Sequence, residues 1–292
     1  MSTSPRDAFL APLQANARHP AGPRAIDQAH LDELDWTAGL RNDVVIVSMG
    51  NSAEGHSSAL AADIDDRIGF HVATHVANRI GARYLGHCPF ATDRLGGLAQ
   101  QWSPACLTVD EFVAKTTTYL QFLLAAVKPA KQVWLLSGHG GNGAIEPHLA
   151  SLAQTLGVAE VHYALTLLAP PDRPDLNAQH AGNMEHGVAR WLGAGCFQPE
   201  ALASLNARLA SDFEAAVKTE PAAAGMAGYY IYGDARFDAI RNRYPGVKPA
   251  IAHVAATRAV VANAADGAAA LEHTIVTISA QIVQAHARFA AP

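Results

Sequence analysis

The feature that most constrains this 292-residue chain is an alternation of two periods. Short β-branched runs recur, each followed by a stretch whose apolar residues repeat every three or four positions. Asp43–Met49 (DVVIVSM) is almost continuously apolar, as a strand covered on both faces should be. Asp66–Ile80 places Ile68, Val72, Val76 and Ile80 four apart, on one helix face. Arg83–Cys88 reads as the next strand. Thr108-Val109-Asp110-Glu111 opens like a capped helix, which runs to about Val127 and stops at Pro129. Gln132–Leu136 then reads as a strand, Asn142–Leu156 as a helix and Val161–Leu168 as a strand. Helices are expected over Asn183–Leu192, Pro199–Lys218 and Ala262–His286. Such alternation predicts an α/β fold, a three-layer α/β/α arrangement around a mainly parallel sheet. Residues 1–24, with Pro5, Pro12, Pro20 and Pro23, read as an irregular lead-in, and residues 25–292 as a single domain. Pro221–Lys248 breaks the periodicity and reads as a loop-rich insertion over a site.

Composition excludes several function classes. Half of the residues are hydrophobic, enough for a sizeable core. The net charge of −5, without a basic tract, argues against nucleic acid or an anionic membrane as partner. Apolar runs such as Phe122–Val127 are too short to span a bilayer, and the N-terminus lacks a secretory apolar core. Cys88, Cys106 and Cys196 are odd in number and lack CxxC spacing, so reduced, packed thiols are expected. The expectation is a cytoplasmic globular protein that handles a small molecule.

Ligand sites of open α/β sheets collect at the carboxyl ends of the strands. The loops there are Gly50–Asp65, Pro89–Cys106, Ser137–Asn142 and Ala169–Glu185. In the first, Glu54 and His56 are one β period apart and point the same way if extended, and Asp65 follows nine residues later. One imidazole with two carboxylates suits zinc, manganese or iron. The same residues also read as a surface Glu, a loop His and a helix cap at Asp63, Asp65 or Asp66. The third loop, SGHGGNG, matches a dinucleotide-binding spacing through Gly138, Gly140 and Gly143. That use needs an acidic residue at the end of the next strand, which instead reads Thr166-Leu167-Leu168-Ala169. The glycines are therefore read as serving His139. The fourth loop brings His180 and Glu185 to the entry of a helix. His71 and His75 are four apart but lack the glutamate of H-E-x-x-H, and read as a polar helix edge. No G-x-S-x-G is present, which weighs against a serine hydrolase. Trp102, Tyr229, Tyr230 and Tyr232 fit pocket lining or plain packing.

Taken in order, Glu54-Gly55-His56 with Asp65, Gly138-His139-Gly140-Gly141-Asn142, and His180-Ala181-Gly182-Asn183-Met184-Glu185 resemble the motifs of the creatininase-type amidohydrolases. The resemblance covers roughly residues 36–290 and includes a glycine-containing last helix. It implies a creatininase-like α/β fold and two divalent ions per chain (zinc, manganese or iron). Glu54, His56, Asp65, His139 and Glu185 would be the ligands, with Asp65 bridging. His180 would be the general acid/base, and Glu185 would count among the catalytic residues as well. A homo-oligomer, in the family a hexamer, is also implied. The expected reaction is hydrolysis of the C–N bond of an amide, cyclic amide or formamide by a metal-bridging hydroxide. The alternatives are a metal-dependent hydrolase or lyase opening a ring next to a ketone, and an inactive paralogue that binds a metabolite. Three departures stand out. Ser57-Ser58 replaces the family's Gly-His continuation, Gly141 stands where creatinine-hydrolysing members have a carboxylate, and Glu185-His186-Gly187 replaces Glu-Thr-Ser. They favour metal binding over creatinine as the substrate.

Overall fold

The computed structural model describes residues 41–219 and 252–290, apart from 126, 128, 129, 174, 175, 177–179, 194 and 253. The lead-in over 1–24, the insertion over 221–248 and Tyr229, Tyr230 and Tyr232 lie outside the described residues. The sheet has four strands: β1 (Arg41–Met49), β2 (Ala82–Cys88), β3 (Gln132–Ser137) and β4 (Glu160–Leu165). Their order is β2-β1-β3-β4, and every pairing is parallel. Alternate residues of β1 feed two separate cores. Val44 and Ile46 pack on one face, and Val45, Val47 and Met49 on the other, all without exposed surface. Both faces of the strand are dry, which is why its sequence lacks the polar alternation of a half-exposed strand.

Helix α1 (Ile64–Ile80) connects β1 to β2 across the first face and ends at Gly81, whose φ of 67° favours glycine. Helix α2 (Val109–Ala125) and α3 (Leu149–Leu156) cover the second face through Phe112, Leu120 and Leu152. Helices α4 (Asn183–Leu192), α5 (Pro199–Ser211), α6 (Phe213–Thr219) and α7 (Ala264–Ala290) follow, and all four contribute side chains to the first core. The result is a three-layer α/β/α fold. Thr108 and Glu111 form a reciprocal cap at the start of α2.

Three elements differ from the sequence reading. Asn142–Leu156 is not one helix. Gly140–His148 winds as a 3₁₀ helix and only Leu149–Leu156 is α. Pro147 lacks an N–H and the segment opens on glycines, so an α ladder has little to build on there. Pro199–Lys218 is divided at Asp212, which is extended (φ −148°) and whose carboxylate accepts the Ala215 N–H at 3.0 Å. β4 stops at Leu165, three residues short of the expected Leu168. Among the described residues no helix is long and apolar enough to cross a membrane. Cys88, Cys106 and Cys196 are buried and in no disulfide among the described residues.

Candidate metal centre

The chain leaves β1 in one direction to reach β2 and leaves β3 in the other to reach β4, so the ends of β1 and β3 flank a switch point. The start of α1 is pressed into that gap. A Cβ at Gly138 would run into the Asp65 carbonyl and stand 3.0 Å from the Gly69 nitrogen. The glycine after β3 therefore lets the β3 loop touch the backbone of α1, and His139 meets Asp65 as a consequence. Asn142 fastens three of the loops together. Its side chain donates to the Gly50 carbonyl (2.9 Å) and Ser137 Oγ (3.2 Å) and accepts the Thr92 N–H (2.9 Å).

Within this frame Glu54, His56, Asp65, His139, His180 and Glu185 converge. One oxygen or nitrogen each from His56, Asp65 and Glu185 lie within 4.8 Å of one another, and the same holds for Glu54, His56 and His180. Asp65 stands between two imidazoles, with Oδ1 3.1 Å from His56 Nε2 and Oδ2 3.1 Å from His139 Nδ1. Glu54 Oε2 is 2.7 Å from His139 Nδ1, and Glu54 Oε1 is 3.4 Å from His180 Nδ1. Asn51 Nδ2 donates to Glu54 at 3.1 Å and holds it in place. Glu185 sits in the first turn of α4, where a carboxylate is favoured, and accepts the Ala181 N–H at 2.5 Å. Ala181 has φ 53°, a conformation that costs a non-glycine residue about 1 kcal/mol, and this strained step joins His180 to the helix carrying Glu185.

Each of the three histidines donates one ring N–H to a backbone carbonyl. His56 Nδ1 donates to Glu54 (3.2 Å), His139 Nε2 to Thr92 (3.0 Å) and His180 Nε2 to Gly55 (2.8 Å). A carbonyl only accepts, so these contacts fix the tautomers and turn the second nitrogen of every ring toward buried carboxylates. A lone pair facing a carboxylate is repulsive unless a cation or a proton lies between them. This is the donor set and outer support that divalent ions require.

The electrostatics agree. Burial alone would push the His56 imidazole down, yet Asp65, Glu185 and Glu54 raise it to about 10. His139 is likewise raised against its burial by Glu54 and Asp65. Burial pushes Asp65 up, but His56 and His139 outweigh it and hold the carboxyl well below the usual range. Burial pushes Glu185 up to about 8 and lowers His180. Positive charge is favoured at the His56 and His139 nitrogens, whichever species brings it, while His180 is held toward its neutral form.

One member was not singled out from the sequence. Asp93, in the loop after β2, is 8% exposed and lies with Glu54 and His139 in a third group within 4.8 Å. It is the only acid or imidazole between Pro89 and Cys106, which was a usable signal. With it, all four post-strand loops contribute. Its neighbour Arg94 is turned to the Gly143 carbonyl and to Glu146, 3.5 Å away. Other candidates lie elsewhere. His71 and His75 are not a polar edge: both are buried, with rings 4.2 Å apart, and His71 packs on Trp191. Helix α1 packs on the sheet and α7, and its His71 ring meets Trp191 of α4, so it has no free polar side there. Asp63 pairs with Arg67 at 2.8 Å and Asp66 with His87 at 3.0 Å, while Asp65 alone turns inward. Trp102 is half-buried, and its carbonyl accepts the Gly55 N–H at 2.6 Å.

No family model matches the chain. Two curated relatives are each a 2-amino-5-formylamino-6-ribosylaminopyrimidin-4(3H)-one 5'-monophosphate deformylase. The one from Methanocaldococcus infernus is 27% identical over 119 residues, 40% of this chain and 50% of that protein. The one from Methanococcus maripaludis is 26% identical over 113 residues, 38% of this chain and 48% of that protein. The chain thus spans about half the length of the curated relatives it matches. Among solved structures, a creatinine amidohydrolase (creatininase) is 18% identical, with 59% of this chain and 74% of that chain covered and a TM-score of 0.46.

Proposed function

We propose that this chain is a metal-dependent hydrolase of the creatininase type, cleaving the C–N bond of an amide, cyclic amide or formamide. The observation that carries the reading is the orientation of the three imidazoles, each tied by one N–H to a backbone carbonyl and facing buried carboxylates with the other nitrogen. In this reading His56, Asp65 and Glu185 would hold one ion, and Glu54 and His139 another, with Asp65 within reach of both. Bound divalent ions would supply Lewis-acid polarisation of the scissile carbonyl and ready ionisation of the attacking water. His180 carries the proton at Nδ1, because Nε2 is committed to the Gly55 carbonyl. From Nδ1, 3.4 Å from Glu54, it takes a proton from the attacking water and passes it to the departing nitrogen. Glu185, held by the Ala181 N–H, fixes the orientation of the strained His180–Gly182 step and so the position of that nitrogen.

The names of the two curated relatives, which remove a formyl group from a formylamino substituent, support a formamide among the candidate substrates. With the reading go zinc, manganese or iron as the ions, a small-molecule substrate, and a cytoplasmic homo-oligomer with one catalytic domain over residues 25–292. The test is turnover of a panel of formamides, small amides and cyclic amides by metal-loaded and chelator-treated protein. Amine release that chelator abolishes and added metal restores is expected. Equal release by both preparations, or none from any substrate, contradicts the proposal.

A further inference from the structure

We propose that Asp93 is a ligand of the ion held by Glu54 and His139, standing where the side chain of residue 141 would otherwise be. The inference rests on the metal-centre reading above. Three observations carry it. First, Asp93, Glu54 and His139 each offer an atom within 4.8 Å of the other two, and all three are buried. Two ligands of one ion with bonds of 2.0–2.2 Å stand roughly 3–4 Å apart, so little adjustment is needed.

Second, Asp93 is built to aim one oxygen inward. Oδ1 accepts the Leu95 N–H at 2.7 Å, which leaves Oδ2 beside the His139 ring, 3.7 Å from the Nε2 that is committed to the Thr92 carbonyl, with Nδ1 as the ring nitrogen left for the ion. A Cβ added at Gly141 would strike His139 Nε2 and would lie 2.7 Å from both Asp93 Oδ2 and the Thr92 carbonyl. A residue with a side chain at 141 would therefore point at this oxygen, and the space is already filled by a carboxylate from another loop. Glu185, 4.0 Å from His56 Nε2, groups with His56 and Asp65 instead and does not fill it.

Third, the charges balance. Glu54, Asp65, Glu185 and Asp93 with neutral histidines carry −4, which two divalent ions neutralise in the resting site, before any bound water ionises. A buried carboxylate without such compensation would be costly.

The experiment compares wild type with Asp93→Asn, which can keep the contact to the Leu95 N–H. Both are loaded with zinc or cobalt(II), and ions per chain, dissociation constants and the visible cobalt spectrum are measured. Wild type should hold two ions. The variant should hold one ion, or bind the second more than about 100-fold more weakly, beyond the cost of losing an outer partner, with a changed cobalt spectrum at that site and the spectrum of the other ion retained. Thermal melting in chelator checks that the variant folds. If it does not, Asp93→Glu takes its place, and a shifted cobalt spectrum at the second site is expected. Unchanged ion content and affinity in Asp93→Asn, or a cobalt spectrum in Asp93→Glu identical to wild type, overturns the proposal. So does weaker binding of two ions with unaltered spectra, since that marks Asp93 as merely positioning His139. A wild type that binds no ion overturns the metal-centre reading itself, a distinct result.

Discussion

Two neighbouring glycines of the β3 loop should respond in opposite ways to the same small change. At Gly141 a Cβ would strike His139 and stand 2.7 Å from the Thr92 carbonyl and Asp93 Oδ2. The Thr92 carbonyl is backbone, and Thr92 is itself held by Asn142, so it cannot retreat cheaply. His139 must then swing away and give up its 3.0 Å hydrogen bond to that carbonyl. Overpacking of this kind costs about 1–3 kcal/mol, and the lost bond about 1 kcal/mol more. Gly141→Ala should therefore lose about 2–4 kcal/mol of stability. At Gly140 nothing lies within 4 Å of the added carbon, and the position opens a helical segment. Gly140→Ala should be neutral or gain about 0.4–1 kcal/mol through the unfolded chain. Urea unfolding in the presence of chelator reads the difference without any contribution from bound metal. A Gly141→Ala protein as stable as Gly140→Ala would refute the packing described for this loop.

Asn142→Ala removes the link between the loops after β1, β2 and β3, and should cost about 2–4 kcal/mol in urea unfolding. A loss below about 0.5 kcal/mol would show that the loops hold without it. Asp65→Ala should lose more metal by elemental analysis than Asp63→Ala or Asp66→Ala, whose carboxylates pair with Arg67 and His87. Equal retention in all three would place the bridge elsewhere. His180→Ala should retain its ions yet turn over roughly 10²–10⁴ times more slowly, whereas loss of an ion would make His180 a ligand. His71→Ala and His75→Ala should leave metal content at the wild-type level, since both rings lie in the core around α1 rather than among the clustered ligands.

The strands were legible because burial on both faces leaves an almost unbroken apolar run, as in Val44–Val47 and Val133–Leu136. That signal also located the post-strand loops, and hence the stretch of chain in which to look for chemistry. Periodicity could not register the division of Asn142–Leu156, because a 3₁₀ turn keeps apolar residues three apart much as an α-helix does. Nor could it register the break at Asp212, which contains neither glycine nor proline. His71 and His75 were misplaced for a related reason. Polar residues on a helix suggest an exposed edge, but α1 lies between the sheet and α7 and is buried nearly all round. Asp93 has no spacing to a partner in the sequence, where only its standing as the one carboxylate of its loop marks it. Its relation to Glu54 and His139 exists only once the ends of β1, β2 and β3 lie side by side. Gly138 and Gly141 were read as freeing His139, and the close approaches of Gly138 to Asp65 and of Gly141 to Asp93 give that freedom a specific use.

The proposed function stands on divalent metal being held by this cluster of four carboxylates and three histidines. The most direct measurement is the content of zinc, manganese and iron per chain in protein purified without chelator, repeated after reconstitution. About two divalent ions per chain are expected, bound tightly enough to survive desalting. Less than about a tenth of an equivalent, with no rise on reconstitution, would contradict the proposal.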